Sequence, residues 1–165
     1  MLFIATYSGR VVMFDLTYQA KHQKDKQFGA GTPTAILAAK GMLIIASTQH
    51  DEILLTLADS NLTVIGKCRL KQFTSFIKTM RMVDVEVRGK RRNILVCAPY
   101  SQTDSPLAFY DVSVNGILLI LVKTMWWSNR CITGLCVNQD SVIVYGKQTG
   151  TRHFDTNTLA IIGFN

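Results

Sequence analysis

A strand-turn-strand unit recurs four times along the 165 residues of this chain, and that recurrence limits its fold more than any other feature. Each copy opens with an apolar stretch, passes through a polar turn, and closes its second strand on an aspartate. The copies are LFIATY-SGR-VVMFD (residues 2–15), LIIAST-QHDE-ILLTLAD (43–59), ILVCAPYSQTDS-PLAFYD (94–111) and VIVYGK-QTG-TRHFD (142–155). The closing residues Asp15, Asp59, Asp111 and Asp155 stand 44, 52 and 44 positions apart. A supersecondary unit repeating at this interval cannot bury its own apolar sides. It must stack against its neighbours to do so.

The residues around these cores fill out the units. In the second copy, strands are expected over 34–39, 42–48, 53–57 and 63–70, joined by turns at Lys40-Gly41, 49–52 and 59–61. Four consecutive strands joined by tight turns make an antiparallel meander. In the third copy, residues 80–88 alternate between Val83, Val85, Val87 and Asp84, Glu86, Arg88, the period of a half-buried strand. Gly89 to Asn93 then reads as a basic turn, and Asn115-Gly116 as a hairpin turn between apolar runs. In the first copy, Ser8-Gly9-Arg10 reads as a tight turn, while residues 17–33 read as an exposed connection with one irregular outer strand near 18–20. LIIA, ILVCA and VIVY are continuous apolar runs, as strands covered on both faces require. The expected fold is all-β and β-propeller-like, with about four consecutive four-stranded antiparallel blades at 1–28, 29–72, 73–124 and 125–165. The first blade is expected to be incomplete, with residue 2 opening on what would be the second strand of a blade. The expectation is a single propeller-type domain, or part of one whose ring another chain completes.

The copies resemble the blades of WD-repeat proteins. Phe14-Asp15, Tyr110-Asp111 and Phe154-Asp155 stand where that family has Trp-Asp, with Ala58-Asp59 a looser match. Ser8-Gly9 and Thr149-Gly150 stand where its short turn falls. No Gly-His dipeptide precedes a copy, and the three histidines (His22, His50, His153) lie elsewhere. The resemblance implies a rigid platform that binds other proteins as a subunit of a larger complex.

The residue chemistry agrees with a platform more than with an enzyme. Gly29-Ala30-Gly31 is too short for a phosphate-binding loop. No serine or cysteine is placed with a histidine and an orienting acid. Cys68, Cys97, Cys131 and Cys136 lie in or at the start of apolar runs without metal-ligand spacing, and read as buried thiols. Neither catalytic residues, nor a metal, nor a cofactor is expected. The net charge of +7 matches the excess within residues 67–92, which hold nine basic groups and two acids. This stretch, with Arg88, Lys90, Arg91 and Arg92 crowded together, is a candidate contact for a protein partner of acidic character. Trp126 and Trp127 are the second candidate, because adjacent strand residues point to opposite faces and one can meet a partner. The alternative is an RNA-binding propeller subunit of a ribonucleoprotein that uses 67–92 as a basic blade. The longest apolar run is too short for a membrane span, and the chain shows no secretory leader, so a cytoplasmic or nuclear site is expected.

Overall fold

The computed structural model describes residues 1–17, 21–29, 31–71, 73–87, 90–100, 105–112, 119–127, 132–137, 141–146, 150–155 and 161–164. Among these described residues the secondary structure is strand and turn, without a helix. The strands form four antiparallel sheets, each built from strands consecutive in the chain. By compactness the chain divides into one unit at Met1–Phe76 and another at Ile77–Asn165.

The first unit holds two sheets. The first comprises β1 (Leu2–Ala5), β2 (Arg10–Asp15) and β3 (Lys21–Gln27). The second comprises β4 (Thr32–Ala39), β5 (Met42–Gln49), β6 (Glu52–Asp59) and β7 (Val64–Arg69). Register aligns β1 and β2 with β5 and β6, so the first sheet has three strands where the second has four. Across the pair Phe3–Met13 and Ala5–Val11 share one face, and that face packs on Leu43, Ile45, Ala58 and Leu62 of the second sheet. Each fully buried valine, leucine, isoleucine or methionine among them contributes about 1.5–3 kcal/mol.

The tight connections of the second sheet have a stereochemical cause. Ala39 pairs with Met42 across Lys40 and Gly41, both at positive φ (52° and 73°). Gln49 pairs with Glu52 across His50 and Asp51, at 46° and 63°. Two consecutive left-handed residues give the turn whose twist matches that of the flanking strands.

The second unit holds the other two sheets. The third comprises β8 (Ile77–Val87), β9 (Lys90–Pro99), β10 (Ser105–Val112) and β11 (Leu119–Trp127). The fourth comprises β12 (Ile132–Val137), β13 (Ser141–Gly146), β14 (Gly150–Asp155) and β15 (Ile161–Phe164). Val83, Val85, Ile94, Val96, Leu107 and Phe109 of the third sheet pack on Ile132, Leu135, Val142 and Val144 of the fourth. Residues 43–46 of β5 and 94–98 of β9 are buried without a break, as their continuous apolar sequences require.

Several sequence readings need correction. Residues 21–27 form a regular strand, β3, although KHQKDKQ reads as a connection. Its pairing with β2 supplies the order that local propensity does not, and outermost strands tolerate charge. Residues 90–93 are not a turn. They already belong to β9, with Val87 paired to Lys90 and only Arg88 and Gly89 between them, outside the described residues. β10 begins at Ser105, a residue whose sequence neighbourhood reads as turn. β11 runs to Trp127, so the third sheet extends past the boundary expected at 124. The expected strand at 18–20 and the Asn115-Gly116 turn lie outside the described residues.

Candidate functional site

The recurring aspartates come first, because they set the ends of the loops. Asp15, Asp59 and Asp155 are the last residues of β2, β6 and β14, and Asp111 is the penultimate residue of β10. Each is thus at the end of the third strand of its unit. The local chemistry differs. The amide of Thr17 donates to Asp15 Oδ1 at 2.9 Å and its hydroxyl at 2.5 Å. These bonds, the hydroxyl's first, hold the Asp15 carboxyl below its ordinary pKa. Asp59 accepts from the amides of Asn61 and Thr63, both at 2.8 Å, and this closes a loop in which buried Leu62 takes a φ of 64°. Asp111 instead accepts from Arg92 Nη1 at 2.7 Å. The side chain of Asp155 lies outside the described residues.

The basic stretch does not belong to one sheet. Lys67 and Arg69 lie on β7 of the second sheet, and Lys78, Arg81, Lys90, Arg91 and Arg92 lie in the third, so the run divides between the two compact units. The reading of 67–92 as a single basic blade is therefore corrected: the strand boundary falls inside the run. Much of its charge is also engaged within the chain. Arg69 pairs with Glu52 at 2.7 Å, and Arg81 Nη1 donates to the Met80 carbonyl at 2.8 Å. Lys78 Nζ stands 5.7 Å from the centre of the Tyr100 ring, within cation–π range. Arg92 holds Asp111.

The β8–β9 hairpin remains as a distinct feature. Among the described residues β10 pairs with β9 between Cys97 and Ile94. β8 and β9 continue together through Asp84–Asn93, Val85–Arg92, Glu86–Arg91 and Val87–Lys90. Among the described residues the β8–β9 pairing therefore continues past the end of β10 at Val112 by three residues, roughly 10 Å at about 3.3 Å per residue. Arg91 and Arg92 are exposed on it, on opposite faces as adjacent strand residues must be. Lys90 is placed by its backbone, and Arg88 lies outside the described residues. Trp126 and Trp127 pair with Pro106 and Ser105, at the far end of β10. Counted along the strands, they are separated from Lys90 by roughly 30 Å at about 3.3 Å per residue. The two candidate contacts are thus at opposite ends of one sheet and do not form one site. Phe73 is buried and Phe76 exposed, and neither lies in the sheet that carries the hairpin.

Three features escaped the sequence reading. A cavity of about 330 Å³ in the first unit is lined by Met1, Phe3, Ala38, Ala39, Met42 and Leu43, with Lys40 and Ser60 adding polar groups. It exists only because the first two sheets meet, which no local pattern encodes. The Arg92–Asp111 pair joins residues 19 apart and needs the β9–β10 register to be seen. Cys136 is exposed on β12, whereas Cys97 is buried and partial burial raises the Cys68 thiol pKa. The reading of all the cysteines as buried therefore fails at Cys136. Cys131 lies outside the described residues. Among the described residues, no three His, Cys, Asp or Glu side chains are placed to hold a metal ion, and no helix is long and apolar enough to cross a membrane.

No protein-family model matches this chain. No curated protein matches its sequence. Solved structures do. The propeller of Dos1 is similar at a TM-score of 0.69 and 12% identity, over 98% of this chain and 43% of that one. The computationally designed Ika8 protein is similar at 0.65 and 13%, over 97% of this chain and 44% of that one. The chain spans less than half the length of either. At such identities the likeness concerns the fold alone, and together with the four consecutive antiparallel sheets it makes this chain β-propeller-like.

Proposed function

We propose that this chain is a non-catalytic, WD-repeat-type scaffold that binds other proteins as a subunit of a larger complex. The observation that carries the reading is the β8–β9 hairpin, which runs past the described end of β10 and presents exposed Arg91 beside Lys90, continuous with the buried residues 94–98 of β9. Rigid strands hold such a projection in place at little entropic cost on binding, and arginine forks suit carboxylates. The fitting partner is a protein with an acidic surface. The internal engagement of Arg69, Lys78, Arg81 and Arg92 weighs against a phosphate-binding track. A cytoplasmic or nuclear location belongs to the same proposal.

The test is affinity capture from native extract with wild-type protein and with Lys90→Glu/Arg91→Glu. A defined protein partner lost on the double substitution is the expected outcome. Capture at background level, or capture indifferent to the substitution, removes the hairpin as the contact. Titration with RNA at two salt concentrations completes it. Steep salt dependence abolished by the same substitution would favour the ribonucleoprotein reading instead.

A further inference from the structure

The face of the second sheet that meets the first changes character along its length. Leu43, Ile45 and Ala58 make it apolar at one end. Alternation along β5, with the pairings Ile45–Thr56, Ser47–Leu54 and Thr56–Lys67, sets Ser47, Gln49, Thr56 and Lys67 on the same face. These four line a cavity of about 50 Å³ together with Gly29 and Gly31. Thr56 is only 4% exposed. Among the described residues, neither its hydroxyl nor the polar ends of Ser47, Gln49 and Lys67 have a hydrogen-bonding or ionic partner. A hydroxyl buried that deeply is costly to leave unpaired. The loop that forms the other wall is tied in place. Gln27 Nε2 donates to the carbonyls of Ser8 and Gly29 at 2.6 and 2.7 Å, and Phe28 N donates to that of Gly9 at 3.0 Å. A Cβ at Gly31 would stand 3.3 Å from Ser47 Oγ, so glycine there leaves the hydroxyl uncovered.

We infer that this cavity binds a tetrahedral oxyanion: the phosphoryl group of inorganic phosphate or of a small phosphate monoester. Its lining carries one cation, Lys67, and no acid. Register places Glu52 beside Gln49 on the same face, but Arg69 engages that carboxylate at 2.7 Å. The cavity is therefore electropositive and selects an anion over water alone. The hydroxyls of Ser47 and Thr56 and the amide of Gln49 can each donate, and the Lys67 ammonium adds charge-assisted bonds. A space of this volume holds about four water-sized groups, the oxygens of one phosphoryl group. A planar carboxylate fills less of it and leaves a donor unused. The Gly29-Ala30-Gly31 stretch, too short for a phosphate-binding loop by itself, contributes Gly29 and Gly31 to a wall whose donors come from β5, β6 and β7.

Isothermal titration calorimetry of the purified chain with inorganic phosphate, at about 0.15 M salt, tests the assignment. One-to-one binding is expected with a Kd between about 10 µM and about 1 mM, within the ceiling for so small a ligand. Thr56→Val and Lys67→Met each weaken it at least about tenfold. Thr56→Ser keeps the hydroxyl and binds within about threefold of wild type. Melts without phosphate show Thr56→Val at least as stable as wild type, because a methyl replaces a hydroxyl that had no partner. Lys67 is exposed, so Lys67→Met leaves the fold intact. A second titration with glycerol phosphate separates the two sources: tighter binding than phosphate assigns the site to an ester, weaker binding to the free ion. No saturable heat up to about 10 mM phosphate, an affinity unchanged in both Thr56→Val and Lys67→Met, or acetate bound as tightly as phosphate overturns the assignment. The β8–β9 hairpin belongs to the other compact unit, so its capture experiment and this titration fail independently.

Discussion

Gly9 sits where a side chain has no room. Its φ is +84°, and a Cβ would come within 2.7 Å of the Gly29 carbonyl and 2.9 Å of that of Gly31. The same turn is tied by Thr6 N to the Arg10 carbonyl at 2.8 Å and by Phe28 N to the Gly9 carbonyl at 3.0 Å. Gly9→Ala must therefore move backbone, and about 2–4 kcal/mol of destabilisation is expected. Asp51 provides the opposite sign. It holds a φ of 63° at an exposed hairpin turn with no need of its own side chain for pairing. Asp51→Gly is expected to stabilise by about 0.5–1 kcal/mol, roughly 1–4 °C in Tm for a chain of this size. Urea and thermal melts of the two variants check both signs, and a Gly9→Ala protein as stable as wild type would refute the geometry. Asp15 adds a pH effect. Its folded pKa is lowered by the Thr17 hydroxyl and amide, so its contribution is complete above the usual carboxylate range and is lost as pH falls through the lowered value. NMR titration of that carboxyl should show the downward displacement.

At the scale of strands and hairpins, the Arg92–Asp111 pair fastens the overhanging hairpin to β10. The Arg92 side chain is 46% exposed and that of Asp111 only 16%. Half-exposure of the arginine screens the attraction, so a double-mutant cycle should give a coupling of about 0.5–1 kcal/mol. Arg92→Ala alone should cost more than that, since it leaves a largely buried carboxylate without its donor. No measurable coupling would detach the hairpin from β10. What the sequence reveals also depends on the element. β5 and β9 announce themselves as unbroken apolar runs because burial on both faces selects for them, whereas β13 carries such a run with only Val142 and Val144 buried. The alternation at Val83, Asp84 and Val85 likewise locates β8. β3 is hidden because a solvent-facing outer strand needs no apolar pattern, and KHQKDKQ is ordered by its partner β2. The start of β9 is hidden for a related reason: Arg91 and Arg92 are exposed, and Lys90 to Arg92 are paired with β8 but, among the described residues, not with β10. The recurring aspartates show where third strands end, but not that Asp59 closes a loop while Asp111 grips an arginine, a difference set by the neighbouring strand.

Across the whole chain, sheets depend on the faces of other sheets for cover. The third sheet packs Val96 and Phe109 on Val142 and Val144 of the fourth. A fragment of residues 77–165 keeps that core and should show β-type circular dichroism with a cooperative melt. Residues 77–127 alone strip the cover from Phe109, whose full exposure amounts to several kcal/mol, about 3–5 on the scale of a Phe→Ala change. That shorter piece should aggregate or lack a transition, and a cooperative melt from it would contradict the stacking arrangement. The repeat interval makes this architecture readable from residues alone, whereas the contact surfaces are not, because they depend on which strands outlast their neighbours. The overhang of β8 and β9 has a mechanical consequence. A load applied near Lys90 passes along β9 into residues 94–98, all buried. The projection behaves as a lever with its fulcrum at Arg92 and Asp111, so a pull on the tip is felt as torque in the most deeply seated strand of its sheet.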